Sequence, residues 1–396
     1  MDILHLFRRF GQKNEAVKEE TMKEIVDVTI IGSGVVGLAV ASEVANKKRR
    51  VYVLEKNDTF GQETSSRNSQ VVHAGLYYPP GSLKSKTCVE GNRILYAICE
   101  RNRIAFKKLT KVVVATNELE VEKLESLRKN GLDNGVKGLC LLSRQEIKKL
   151  EPNVKARAAL FVPSTGIIDG HGLMKYFLQK AKGKKAQVVF RSKVTGITKA
   201  NTGYWVEVQD AKENFNFLTR VLINCAGLEA DKVAAMLGID IAKAGYRLHY
   251  CKGEYFSVSG GKSGLVKRLV YPVPLPELMG VGIHVTLDLD GRIRLGPGVE
   301  YVKEIDYKVE EKKKPFFYAS VKKFLPDLTL EDLEPEMAGI RPKLQGSGEK
   351  QKDFVIHHEM DKKLPGLINL VGIESPGLTA SPAIAKMVGN MVNEIL

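Results

Sequence analysis

Apolar positions in the first part of the chain change period twice. Residues 26–31 are a β-branched run, 35–46 carry apolar residues at helical spacing, and 51–55 return to a strand pattern that ends on Glu55. Parallel strands need a crossover, and a helix supplies one, so the opening is predicted to be a β-α-β unit. The helix is expected to close on Lys47, Lys48, Arg49 and Arg50, whose charge suits the negative end of the helix dipole. Residues 61–87 then turn to Ser, Gly, Asn and Pro, a loop of the length that usually carries function. From Lys111 come a short strand, a charged helix over 118–129, and a helix announced by the capping box Ser143-x-x-Glu146. Strand and helix patterns continue through 169–182, 187–198, 204–209 and 220–224. Between Gly253 and Tyr301 strand follows strand, with Asp290-Gly291 as a two-residue hairpin signal. Strands return at 353–356 and 367–371, and a helix over 379–396 closes the chain.

Composition narrows the class without naming a function. The 396 residues exceed what one hydrophobic core usually serves, so two lobes are expected. The net charge of +15 attracts nucleic acid, anionic membranes or acidic small molecules alike. Lys and Arg are scattered, with no basic stripe interleaved with aromatics, so nucleic acid is not the expected partner. Five cysteines, Cys88, Cys99, Cys140, Cys225 and Cys251, are widely spaced, and no Cys/His group has metal-ligand spacing. A reducing, cytoplasmic setting and no metal are expected. The apolar stretch 28–45 holds three glycines, two serines and Glu43, which reads as a buried strand-turn-helix rather than a membrane span. Near the N-terminus Leu4, Leu6, Phe7 and Phe10 alternate with His5, Arg8 and Arg9, the pattern of a short peripheral foot on the inner membrane face; an untethered tail is the plain alternative.

The turn after the first strand carries the first specific chemistry. Gly32-x-Gly34-x-x-Gly37 opens the helix: Gly32 permits the tight turn, Gly34 lets a pyrophosphate approach the backbone, and Gly37 lets helix and strand pack closely. Val35 and Val36 lie in the first turn of that helix, whose N-terminus faces the phosphates. Glu55, with Lys56 beside it, ends the second strand where a carboxylate accepts hydrogen bonds from a ribose. NAD and FAD share this fingerprint. Two later turns favour FAD: Asn224-Cys-Ala226-Gly227, and Gly372-Ile-Glu-Ser-Pro376-Gly377-Leu378-Thr379, a strand-to-helix turn that offers amides to the longer flavin body. Ser65, Ser66, Arg67, Asn68 and Ser69 are expected against the flavin phosphate and ribityl, and Val194 in the same trough.

Ser65-Ser-Arg-Asn-Ser69, followed by His73-Ala-Gly-Leu-Tyr-Tyr78-Pro-Pro-Gly-Ser-Leu-Lys84, resembles the L-2-hydroxyglutarate dehydrogenase/oxidase branch of the D-amino-acid-oxidase-like flavoproteins. The likeness runs on through Thr165-Gly-Ile-Ile-Asp169, Tyr271-Pro-Val-Pro274, Gly282-Ile-His284, Asp290-Gly-Arg-Ile-Arg-Leu-Gly-Pro297 and Ala338-Gly-Ile-Arg341. It implies noncovalent FAD and an α/β fold of mixed α+β character, a Rossmann-like FAD-binding lobe with an inserted antiparallel-sheet substrate lobe. The expected division is 1–21 as an extension, 22–105, 169–240 and 341–396 as the FAD lobe, and 106–168 and 241–340 as the substrate lobe.

The resemblance also implies oxidation at a carbon bearing a hydroxyl, with an L-2-hydroxy dicarboxylic acid as the acidic small-molecule substrate and oxygen or a quinone as electron acceptor. Arg341 is the expected carboxylate clamp. His73 and His284 are the expected bases, neutral near pH 7, with His73 preferred. Tyr271 and Lys252 are expected to orient a distal carboxylate. The pattern departs at Gly298-Val-Glu300, at Pro342-Lys343 where Ala-Gln is usual, and at Glu374-Ser-Pro-Gly-Leu-Thr-Ala-Ser. Arg341-Pro342 is closer to amine oxidation, so a glycine- or sarcosine-oxidase-like activity stays open beside the hydroxy acid. A nucleotide-binding module without redox turnover is the third class.

Overall fold

The computed structural model describes residues 25–210, 213–259, 261–274 and 282–396. The proposed membrane foot at Leu4 to Phe10 lies outside them. Two large sheets carry the molecule.

The first sheet has eight strands, ordered Lys193–Ala200, Gly203–Gln209, Asn214–Asn224, Val26–Ile31, Val51–Leu54 and Gln187–Val189, with Leu367–Val371 and Val355–His358 branching from it. Val26–Ile31 pairs in parallel with both Asn214–Asn224 and Val51–Leu54. The helix Val35–Val44 joins those two strands and is buried along nearly its whole length, as a crossover helix between sheet and further helices must be. It packs on Gly170–Gly183 and Gly377–Ile395, and the last of these packs on Leu83–Asn102. Val28, Ile30, Leu38, Val53 and Ile384, each fully buried, form the core between sheet and helices.

The second sheet has nine strands: Glu300–Val302, His249–Val258, Ile293–Gly296, His284–Leu287, Leu269–Pro272, Lys111–Ala115, Ala158–Val162 and Cys140–Ser143, with Leu333–Lys343 along His249–Val258. All pairs are antiparallel except Leu269–Pro272 with Lys111–Ala115. Helices Glu118–Asp133, Arg144–Leu150 and Lys314–Lys322 belong to this part of the chain. The capping box forms: the Ser143 side chain and the Glu146 carboxylate close reciprocally on the first turn of Arg144–Leu150. No helix among the described residues is long and apolar enough to cross a membrane.

Three local expectations are corrected. The first helix stops at Val44, so Lys47 to Arg50 sit in the following turn and not on its last turn. The strand expected over 187–198 is two strands, because Arg191 is left-handed (φ 55°) and the amides of Arg191 and Ser192 donate to Asn57 and Glu55 carbonyls. Asp290-Gly291 sits in a longer loop between His284–Leu287 and Ile293–Gly296. There Gly291 has positive φ and the Asp288 carboxylate gathers the amides of Asp290 and Arg292.

Candidate active site

Backbone contact explains the glycine spacing at the first turn. Gly32 has φ +101°, and a Cβ there would lie 2.5 Å from Cys225 O. A Cβ on Gly37 would lie 2.0 Å from Gly32 O, a backbone atom that cannot move aside. Gly34, the helix N-cap, would meet only Ser65 Oγ at 3.0 Å, so its open side faces the neighbouring space. The amide of Val35 donates to Ser65 Oγ at 2.9 Å. Glu55, buried at the end of the second strand, accepts from Ser33 N and Ser33 Oγ, both at 2.8 Å, and from Asn57 N at 2.9 Å.

Two adjoining cavities start from this turn. The smaller, about 400 Å³, is lined by Gly32, Glu55, Lys56, Val194 and Ala226. The larger, about 1200 Å³, runs past Val35, Val36, Gly37, Arg67, Asn68 and Ser69 to the turn at Ser375, Pro376, Gly377 and Leu378. Both walls include Gly34, Ser65 and Gly227. A trough with one helix N-terminus at Gly34, another at Gly377, and no Cβ at either approach fits the extended body of FAD. Glu55 and Lys56 stand at the nucleoside end, with Lys56 paired to Glu229 at 2.6 Å and Glu63 at 2.9 Å. Arg67 lies 4.0 Å over the Tyr307 ring, and its buried Nε has no hydrogen-bond partner among the described residues.

Not every expected cofactor residue reaches the trough. Ser66 turns its hydroxyl to Gly61 O and braces the loop. Gly372 has φ +72° and makes room for Leu344. Thr379, fully buried, accepts from His73 N at 3.0 Å and donates to Val71 O at 3.3 Å, tying the histidine segment to the last helix. None of the three lines either cavity.

At the far end the larger cavity meets the second sheet. Arg341 Nη2 donates to Gly298 O at 2.5 Å and Lys252 O at 3.3 Å, and Nε to Cys251 O at 3.5 Å. Among the described residues no carboxylate lies within ion-pair distance of it. His284 is buried, stacks on Tyr271 with ring centres 3.7 Å apart, and places Nδ1 2.9 Å from Gly282 O. A carbonyl only accepts, so Nδ1 carries the proton and Nε2 is the ring's free acceptor. His73 Nε2 lies 3.3 Å from Ser375 Oγ. Burial, and then the charge of Lys111, pushes His73 down to about 3; burial likewise takes His284 to about 3, with His73, Lys111 and Arg341 adding to it against the Gly282 hydrogen bond. Both imidazoles are therefore neutral at physiological pH. The Tyr271 hydroxyl is buried and has no hydrogen-bond partner among the described residues, and burial holds its pKa well above the ordinary value.

Lys252 does not join them. Its ammonium is paired with Asp306 at 2.8 Å and lies 3.9 Å from Glu254, and it lines neither cavity. The reason is strand parity. Cys251 is opposite Arg341 and Lys252 opposite Ile340, so Lys252 projects from the other face of the sheet.

The structure also supplies residues that the sequence did not single out. Lys111, 1% exposed, lies 3.3 Å from the Tyr77 hydroxyl and between the Tyr77 and Tyr271 rings, 4.5 and 4.7 Å from their centres. Burial, opposed by the nearby Cys88, brings it down to about 7. Lys343 and Glu374 enter the cavity wall, and Lys84 lies behind them. Lys111 reads in the sequence as the first residue of a strand, and the others are up to 290 positions apart, so no local pattern connects them.

Comparison with known proteins agrees with this geometry. Residues 27–391 match the family model DAO, FAD dependent oxidoreductase. The chain is 38% identical to mitochondrial L-2-hydroxyglutarate dehydrogenase of Arabidopsis thaliana, over 94% of this chain and 84% of that protein. It is 32% identical to L-2-hydroxyglutarate dehydrogenase of Indibacter alkaliphilus, over 91% and 97% of the two chains. Among solved structures it is similar to L-alpha-glycerophosphate oxidase from Mycoplasma pneumoniae with FAD bound, with TM-score 0.81, 29% identity, and 93% and 95% of the chains covered. Glycine oxidase from Geobacillus kaustophilus shares the fold, with TM-score 0.74, 21% identity, and 93% and 95% covered. The trough, its glycines and the extent of these matches lead to one conclusion: this chain belongs to the DAO family of FAD-dependent oxidoreductases, and FAD is its cofactor.

Proposed function

We propose that this enzyme oxidises L-2-hydroxyglutarate to 2-oxoglutarate. The observation that carries the reading is Arg341, which lines the same cavity as the neutral imidazoles of buried His284 and half-buried His73 and is held by backbone carbonyls rather than by an acid. With Nε and Nη2 donating to those carbonyls, Nη1 is the nitrogen left to bind the carboxylate next to the reacting carbon by a charge-assisted hydrogen bond. The trough from Glu55 through Gly34 to Gly377 would hold FAD, which would supply the hydride acceptor for the carbon that bears the hydroxyl. One imidazole of the His73–His284 pair takes the single hydroxyl proton, at His73 Nε2 or at His284 Nε2. Tyr271 holds His284 in place by stacking and keeps its own proton. Oxygen or a quinone then completes turnover as electron acceptor.

The supporting relatives carry the L-2-hydroxyglutarate dehydrogenase name at up to 38% identity across nearly the whole chain, whereas the glycine oxidase shares 21% and speaks to the fold alone. Anaerobic mixing of the flavin-loaded protein with L-2-hydroxyglutarate should bleach the flavin absorption. Bleaching by glycine or sarcosine, and none by the hydroxy acid, would overturn the reading in favour of amine oxidation. Peroxide formation in air separates oxygen from a quinone as acceptor.

A further inference from the structure

The cavity wall beside Arg341 holds a charge cluster that the steps above do not use. Arg341 and Lys343 are two residues apart on Leu333–Lys343, so they share a face of that strand, roughly 6.6 Å apart at Cα. Both line the larger cavity. Lys343 Nζ lies 3.0 Å from Glu374 Oε2, and Lys84 Nζ lies 3.0 Å from Glu374 Oε1, with all three side chains less than a tenth exposed. Burial alone would raise the Glu374 carboxyl; the ammonium groups of Lys84 and Lys343, and the Arg341 charge beyond them, hold it below its ordinary value instead. Glu374 is thus an anion, and it is shared between two cations. The neighbouring acid, Asp353, spends its carboxylate on the amides of Leu83, Lys84 and Phe354.

Two buried cations, Lys84 and Lys343, therefore hold one buried carboxylate, and half-buried Arg341, beyond ion-pair distance of it, adds a third positive charge to the same wall. Unbalanced buried charge is costly, and it is tolerated where a ligand supplies the counter-charge. The excess is two positive charges, which a dicarboxylate neutralises.

We propose that Lys343, backed by Lys84, is the distal-carboxylate site and sets the preference for dicarboxylates over monocarboxylates. This rests on the substrate reading above and deepens it by assigning the second carboxylate. Arg341 holds the carboxylate next to the reacting carbon, and Lys343, one pleat further along the same face, holds the far one. Glu374 and Lys84 are positioning residues. Glu374 occupies part of the Lys343 ammonium and so directs its remaining N–H groups, while Lys84 restores the charge that Glu374 removes. Lys252, on the opposite sheet face, takes no part.

The test is a titration of the FAD-loaded enzyme with glutarate and with valerate, unreactive acids that differ in the second carboxylate, followed by perturbation of the flavin spectrum. The wild type should bind glutarate about tenfold or more tightly than valerate, as a charge-assisted hydrogen bond predicts. Lys343→Gln should abolish that preference by weakening glutarate alone, Lys343→Arg should retain it, and Lys84→Gln should reduce it. In turnover, the loss in Lys343→Gln should fall mainly on KM for L-2-hydroxyglutarate. Equal affinity for the two acids in the wild type, or a preference that survives both Lys343→Gln and Lys84→Gln, overturns the proposal. A wild type that prefers glutarate but does not oxidise L-2-hydroxyglutarate overturns the proposed reaction and leaves the carboxylate site standing. Oxidation with KM unchanged in Lys343→Gln overturns the site alone.

Discussion

The two ends of the trough are built in opposite ways. At the nucleotide end, Gly32, Gly34, Gly37 and Glu55 come from a short stretch of chain, where Gly37 meets Gly32 O and Glu55 accepts from Ser33 N, and the one distant backbone contact is that of Gly32 with Cys225 O. At the substrate end, His73, His284, the Arg341–Lys343 pair and Glu374 arrive from four separate segments and meet only when the two sheets are in place. The contrast shows that a cradle made of main chain is written locally, whereas a charged wall made of side chains is written in strand parity and register.

Substitutions can sharpen or break that contrast. The largest effect is expected at the histidines. Replacing His73 or His284 by Ala should slow anaerobic flavin reduction, and the pair together by roughly 10²–10⁴-fold, the usual contribution of a positioned base. Unchanged reduction in both single variants would remove the histidines from the mechanism. Arg341→Ala should lower kcat/KM by about 10²-fold, from loss of roughly 3 kcal/mol of charge-assisted bonding. Flavin content and melting temperature should stay near wild type, because this end of the trough does not build the cradle.

At the nucleotide end the expected damage is to stability and flavin retention. Gly37→Ala pushes a methyl into Gly32 O and should cost about 2 kcal/mol or more by thermal melting, with loss of flavin. Gly34→Ala meets only Ser65 Oγ and should melt nearly as wild type while holding flavin less well. Equal melting of the two variants would break the backbone argument.

The smallest effect is a change of pH profile. Lys111 is depressed to about 7 in the folded protein from an ordinary 10.5, so the unfolded chain binds the extra proton between those values. Stability should therefore rise with pH over about 7–10.5, and Lys111→Met should flatten that rise. His73 and His284, depressed to about 3, act over about 3–6.5, where stability should fall as pH falls. Removing the Lys111 charge should also raise both histidines and move the acid limb of activity to higher pH. An acid limb in the same place would separate Lys111 from the histidines.

The opening of the first sheet and one helix beside the second could be read from the chain because period, glycine spacing and a capping box each have local causes. The β-α-β opening and the helix from Ser143 onward are examples. Arg341, His73 and His284 came from resemblance to a known family rather than from spacing, and the structure does bring them to one cavity. Lys252 misled because a lysine one residue from the right parity is indistinguishable from a wall residue until its strand partner is known. Lys111 was passed over because a lysine that opens a strand normally sits in water, and this one lies under two tyrosine rings. The Lys84–Glu374–Lys343 group spans most of the chain, and only folding makes it a group.

The Leu333–Lys343 strand has one more consequence. A Cβ on Gly339 would lie 2.0 Å from Arg67 O, and Thr64 Oγ1 donates to Ile340 O at 3.0 Å, so the strand that carries Arg341 is seamed to the loop that borders FAD. The parts are consequently poor modules for exchange. A chimaera that imports a relative's substrate sheet with its boundary at 340 and 341 would cut through this seam, leaving one side of each contact to a foreign partner. Grafting a new specificity onto this scaffold calls for moving the 61–69 loop and the whole strand together.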